Sequence, residues 1–229
     1  MTSSFQNKKY GNKAQISEDL VKRNSGLSIA EFVDEQCWNE DTELITHLIK
    51  DNLTENEFAY LEEKLGDLGH LKDNRSCEEY ALDLVTGWLI EDIFVYILSN
   101  KHDVERQSAD KEREFLGSPN ADSDLAITIN DKETPLEVTH DNSGFWQREE
   151  VWSTLRDSKF ENLKDENALI LGLDMKNKEI FLLWAQKADK IGKEYNQRIN
   201  KQASKINLEN VKFYDINKLE KVLENKIMN

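Results

Sequence analysis

Apolar residues recur along this chain in two rhythms, and the change between them falls near Gly117-Ser118-Pro119. Before that point the spacing is helical, and residues 17–70 read as helices joined by short turns. Ser28-Ile29-Ala30-Glu31 has the form of a capping box, in which the hydroxyl and the carboxylate each satisfy an amide left open at a helix start. Ile29, Phe32, Val33 and Cys37 follow it at helical spacing. Thr54-Glu55-Asn56-Glu57 is a second such box, with Phe58, Leu61 and Leu65 on one face and Gly66 and Gly69 beyond. A third helix is predicted from Cys77 to Ser99, with Ser76 as its cap. Its residues Leu82, Leu84, Val85, Trp88, Leu89, Ile93, Phe94, Val95, Ile97 and Leu98 leave almost no polar face, so it belongs in the middle of a domain.

After Pro119 the pattern turns extended. Asp124 to Ile129 (DLAITI) reads as a strand, Asn130-Asp131-Lys132-Glu133 as a turn, and Pro135 to His140 (PLEVTH) as the returning strand. A helix is expected from Phe145 to Asp157. Ala168 to Leu173 and Ile180 to Ala185 are continuous apolar runs of the kind buried strands show. The segment 187–205 reads as a helix, Val211 to Tyr214 as a short strand, and Asn217 to Lys226 as a closing helix. This order predicts an α/β fold, a central mixed β-sheet flanked by helices, with a helical N-terminal region. The expected division is residues 1–75 for that region and 76–229 for the core.

Composition narrows the class. A hydrophobic share of 38% with five Trp in 229 residues indicates a packed globular chain. No run of eighteen apolar residues exists to span a membrane, and the polar start MTSSFQNKKYGNKAQ lacks a secretory core, so a cytoplasmic protein is expected. Cys37 and Cys77 match neither a disulfide framework nor a zinc spacing and read as reduced packing residues. The net charge of -15 opposes a polyanionic partner on average, but the cations are unevenly placed. Lys187, Lys190, Lys193, Arg198, Lys201 and Lys205 cluster against only Asp189 and Glu194, and Lys8, Lys9, Lys13, Lys22 and Arg23 form a second cluster. Between the later cations lie Asn196, Gln197, Asn200 and Gln202, amides able to pair with adenine in a major groove, so this segment is expected to contact DNA at an A·T-rich target.

The informative acids are those set within apolar surroundings. Asp124 opens a strand that should be buried, and Glu137 lies between Leu136 and Val138 on its hairpin partner. Adjacent strands bring same-face side chains close together. Two carboxylates that close repel unless a cation lies between them, and a hard divalent ion such as Mg²⁺ suits carboxylate oxygens. Glu91, on the apolar helix, is the third candidate. Asp122 is an alternative to Asp124, which is preferred because it abuts the apolar run. The triplet His140-Asp141-Asn142 reads as a polar strand exit rather than a histidine metal site.

These residues resemble the core of the PD-(D/E)XK nuclease superfamily. Gly87-x-x-x-Glu91 on a helix, then Asp124 opening a strand, then Glu137-Val138-Thr139 on the paired strand, follow the family's order over residues 77–185. The chain departs from the pattern at Thr139, where the family has lysine. The resemblance implies a restriction-endonuclease-like core with Asp124, Glu137 and Glu91 as metal ligands, and Thr139 beside them as a catalytic residue orienting water. The cation missing at Thr139 would come from His140, Lys132 or Arg148. It further implies a Mg²⁺-dependent type II restriction endonuclease, homodimeric on double-stranded DNA, leaving a 5′-phosphate and a 3′-hydroxyl, with residues 1–75 serving dimerisation or DNA wrapping. The alternatives are a repair or defence nuclease on structured DNA, and a non-enzymatic acidic protein that imitates DNA.

Overall fold

The computed structural model describes residues 18, 19, 21–23, 26–34, 55, 56, 59, 63, 74, 75, 77–107, 123–152, 155–197 and 200–228. Most of the helices expected over 17–70 lie outside the described residues, as do Asp122 and Arg198, and so does any packing role of Cys37. The first capping box forms. The Glu31 amide donates to Ser28 Oγ at 3.2 Å and the Ser28 amide donates to Glu31 Oε2 at 2.8 Å, opening helix α1 (Ile29–Asp34).

Helix α2 spans Cys77–Ser99, the bounds its largely apolar sequence predicts. Strand β1 (Asp103–Arg106), which the sequence reading missed, follows it and pairs antiparallel with β2 (Leu125–Ile129). Its alternating charges Asp103, Glu105 and Arg106 suit an edge strand exposed on one side. Strand β3 (Lys132–Asp141) returns through a tighter turn than expected. Asn130 and Asp131 both take positive φ, 50° and 62°, and Ile129 pairs with Lys132, so Lys132 and Glu133 belong to the strand. Pro135 fits there because β3 meets its other neighbour only from Leu136 onward.

The helix expected from Phe145 to Asp157 is two helices. Helix α3 (Phe145–Glu149) stops at Glu150, which adopts φ 54°, and a short strand β4 (Val151–Trp152) follows. The break lets both Trp146 and Trp152 bury their rings against Phe181, with centroids 5.3 and 6.2 Å from it. Helix α4 (Asp157–Asp165) then leads into β5 (Leu169–Asp174) and β6 (Glu179–Trp184). The basic segment is not a helix. It forms a hairpin of β7 (Lys190–Asn196) and β8 (Lys201–Asn207), turning near Asn200 at φ 50°. Lysines spaced three apart suit a helix, but exposure alternates residue by residue along β7, the rhythm of a strand. Strand β9 (Phe213–Asp215) and helix α5 (Leu219–Met228) close the chain.

Six strands form one mixed sheet in the order β1-β2-β3-β5-β6-β9, in which β3 and β5 are parallel and the other pairs antiparallel. The fold is thus an α/β sandwich with helices on both faces of a mixed sheet, the restriction-endonuclease-like arrangement the resemblance implies. On one face Leu125, Leu136, Leu169 and Leu171 share a core with Val85, Leu89 and Phe94 of α2 and Leu223 and Ile227 of α5. On the other, Ile170, Phe181 and Leu183 pack with Phe160 and Leu163 of α4 and with Ile206 of a small sheet, β4-β8-β7. Each such side chain contributes about 1.5–3 kcal/mol on burial, so both faces are firmly covered. Helix α4 is therefore sandwiched between two sheets, and that placement makes the site. No described helix is long and apolar enough to cross a membrane.

Candidate active site

Strand alternation decides which side chains meet. Leu136 and Val138 point to the α2 face, so Glu137 and Thr139 point to the α4 face. Leu125 lies opposite Leu136, which sets Asp124, one residue before it, beside Glu137. Asp124 Oδ2 accepts a hydrogen bond from the Val138 amide at 2.9 Å, which fixes the carboxylate against the neighbouring strand.

Into this pair projects a residue that sequence reading missed, Lys159 of α4. Its Nζ lies 3.2 Å from Asp124 Oδ1 and 2.6 Å from Glu137 Oε1. All three side chains are largely withdrawn from water, at 14% exposure for Lys159, 13% for Asp124 and 5% for Glu137. The cation paired with these acids thus comes from a helix, and not from the strand that carries Glu137. The signal is faint: the helix Asp157–Asp165 buries only Phe160 and Leu163, and the sequence reads as one helix from Phe145 to Asp157, across the break at Glu150.

One ammonium cannot neutralise two buried carboxylates. Burial foremost, and then the negative charge of Asp124, push the Glu137 carboxyl well above the usual carboxylate range, with Lys159 opposing them. Burial acts to lower the Lys159 ammonium, but the charges of Asp124 and Glu137 outweigh it and hold the lysine protonated. Glu137 Oε2 is buried with no hydrogen-bond partner among the described residues. A buried, unsatisfied carboxylate oxygen costs free energy unless a proton or a cation attends it.

The other candidates fall elsewhere. Glu91 lies on α2, which packs on the opposite face of the sheet, and no group of three acid, histidine or cysteine side chains able to hold a metal forms among the described residues. The more deeply buried acid of α2 is its neighbour Asp92, ion-paired with Arg106 of β1. Thr139 is half-buried on the Glu137 face, opposite Gly172, where a Cβ would lie 2.1 Å from the Phe181 ring. His140 points to the α2 face, and burial lowers its imidazole against the opposing charges of Asp83 and Asp141. Lys132 donates to the Ile227 carbonyl at 2.7 Å, and Arg148 pairs with Glu149 at 3.0 Å, so neither supplies the cation.

The basic segment carries its cations on the hairpin and its approaches. Lys190 and Lys193 are each 2.6 Å from Asp157, and Lys205 is 4.0 Å from Glu194. Lys187 and Gln186 border the hairpin, while Gln197, Asn200, Lys201 and Gln202 lie exposed around its tip, and Asn196 is half-buried at the end of β7. Tyr195 is 52% exposed and its hydroxyl bonds Asn200.

No protein-family model matches the chain, and no curated protein matches it. Among solved structures it is similar to Hjc, a Holliday junction resolvase from the archaeal hyperthermophile Archaeoglobus fulgidus. The TM-score is 0.36 at 13% identity, over 57% of this chain and 98% of that one. The site is read from its own geometry.

Proposed function

We propose that this chain is a divalent-metal-dependent DNA endonuclease whose active centre is Asp124, Glu137 and Lys159. The observation that carries the reading is the convergence of two buried carboxylates on one ammonium, with Glu137 Oε2 left unsatisfied. That donor set fits Mg²⁺, which binds through one or two carboxylates and keeps its remaining positions for water and phosphate oxygens. Asp124 and Glu137 would hold the ion. When bound, it lowers the pKa of a coordinated water and neutralises charge on the scissile phosphate.

The chain's own groups do the rest. The Val138 amide holds Asp124 Oδ2 and the Lys159 ammonium holds Oδ1, so the carboxylate is fixed beside Glu137, where the two together would hold the ion. Lys159 stays protonated and so acts as a hydrogen-bond donor rather than a base. It orients the attacking water and offsets the charge that develops on the phosphate. A water oxygen forms the new bond to phosphorus as the P–O3′ bond breaks; the water gives its proton to solvent and the leaving O3′ takes one from solvent, leaving a 5′-phosphate and a 3′-hydroxyl. The Thr139 hydroxyl, two residues along the same strand face, would accept or donate one hydrogen bond to that water.

In the form the family resemblance implies, the enzyme is a homodimeric type II restriction endonuclease on double-stranded DNA. One observation favours a second form, a nuclease directed by DNA structure. The segment expected to read base edges as a helix is a hairpin, and two of its cations are engaged by Asp157. Purified protein incubated with Mg²⁺ and plasmid, phage and branched DNA decides between them. Discrete fragments from duplex DNA support the restriction form, and cutting confined to branched or single-stranded substrates supports the second. Asp124→Ala and Glu137→Ala should each abolish cutting, a loss beyond about a thousandfold, while DNA binding stays measurable. Full cutting in excess chelator would contradict both forms.

A further inference from the structure

Helix α4 meets both sheets through charged side chains. Lys159 reaches the Asp124–Glu137 pair of the larger sheet. Asp157, two residues earlier, binds the smaller one with both oxygens. Its Oδ1 takes Lys190 Nζ at 2.6 Å and the Ser204 hydroxyl at 2.8 Å, and its Oδ2 takes Lys193 Nζ at 2.6 Å. Glu161, one turn on, also takes Lys190. Residues two apart on a helix differ by about 200° in direction, so these contacts leave α4 on opposite sides. Asp157 carries no side-chain cap for its own helix, since the N-cap position is Arg156 without a side-chain cap bond. Its carboxylate is given wholly to the hairpin.

We propose that Asp157 is a positioning residue that couples the β7–β8 hairpin to the active centre: by gathering Lys190, Lys193 and Ser204 it fixes the start of α4, and with it the Lys159 ammonium, while withholding two cations from DNA phosphates. The inference rests on the nuclease reading above. Lys190 and Lys193 belong to the basic stretch of an acidic chain, the segment suited by charge to a polyanion. Asp157 lies between them and takes up the charge-assisted contacts that these two ammonium groups could otherwise make to phosphate oxygens. The backbone ties the same place, since the Ser204 amide donates to the Leu155 carbonyl at 3.0 Å.

The experiment compares wild type and Asp157→Asn on the DNA that wild type cuts in Mg²⁺. Freed lysines should tighten DNA binding and steepen the plot of log affinity against log salt by about 1 to 2, at roughly 0.9 per added phosphate contact. Turnover at saturating DNA should fall between about tenfold and about a hundredfold, because sub-ångström placement of the lysine is lost. Asp157→Glu, which restores the charge, should return the salt slope to the wild-type value. Unchanged turnover and slope in Asp157→Asn would overturn the proposal, and so would a parallel loss of binding and turnover. The double variant Lys190→Gln/Lys193→Gln approaches the same contacts from the hairpin. If these lysines hold α4 and are withheld from DNA, kcat falls with little loss of affinity; a raised KM with kcat unchanged shows mere phosphate contact and overturns the coupling. A wild type that cuts no DNA in Mg²⁺ refutes the nuclease reading itself, whereas an active wild type with unaltered variants refutes only this inference.

Discussion

The two ends of the α4 charge system are built from the same residue types and behave in opposite ways. On one side, Asp124 and Glu137 share the single cation Lys159 in a space nearly closed to water. On the other, Asp157 and Glu161 share Lys190, and Asp157 also has Lys193, whose side chain is 54% exposed. The hydrogen bonds from Lys190 and then Lys193 hold the Asp157 carboxyl far below the usual carboxylate range, and Lys190 lowers Glu161 as well. Glu137 moves the other way, pushed up by burial and by Asp124. Burial and charge balance, not the identity of the acid, set the direction. The hairpin side is complete as it stands. The sheet side lacks one positive charge, and a deficit of that kind is what a divalent ion would fill.

The largest break in this comparison is Lys159→Met. Removing one partner of a buried charge set leaves the others uncompensated, a loss of about 3–5 kcal/mol. Cleavage should fall about 10²- to 10³-fold, the cost of losing one preorganised donor. Denaturant unfolding and single-turnover cleavage measure the two effects, and wild-type turnover would show that Lys159 takes no part in the chemistry.

A smaller effect concerns pH. The folded-state value of Glu137 lies above its ordinary 4.5, so in chelator the stability tied to this group is complete below about pH 4.5 and fades as pH rises through the folded value. Thermal unfolding of wild type in chelator should therefore show a decline over that window that is missing from Glu137→Gln. Identical pH profiles would mean that the burial of Glu137 carries no titration penalty.

The least effect is expected on the hairpin side. The Lys193–Asp157 pair is open to solvent, so Lys193→Gln should alter stability by under about 1 kcal/mol. A loss as large as that of Lys159→Met would erase the distinction between the two sides.

Much of this arrangement was legible in the chain, for physical reasons. Helix α2 announced itself because a 23-residue run with so few polar positions has only a buried solution. Asp124 and Glu137 stood out because each interrupts or opens an apolar strand, and strand alternation then sets them side by side. Lys159 was hidden because α4 buries only Phe160 and Leu163, too few anchors to signal a helix of nine residues. The hairpin at 190–207 was misread because cations three apart imitate a helical stripe, while the strand rhythm lies in exposure rather than in residue type. Glu91 looked like a ligand from its apolar neighbours, yet the faces of a sheet are assigned by tertiary packing, and α2 covers the other face.

The most direct measurement is calorimetric titration of Mn²⁺, as a Mg²⁺ substitute, into the protein near neutral pH in buffers of different ionisation enthalpy. If Glu137 holds a proton until an ion arrives, wild type should bind the metal and release a proton, and Glu137→Gln should lose both the release and most of the affinity. Metal binding that Glu137→Gln leaves untouched, or no binding by wild type at all, would contradict the assignment of this carboxylate pair as a metal site.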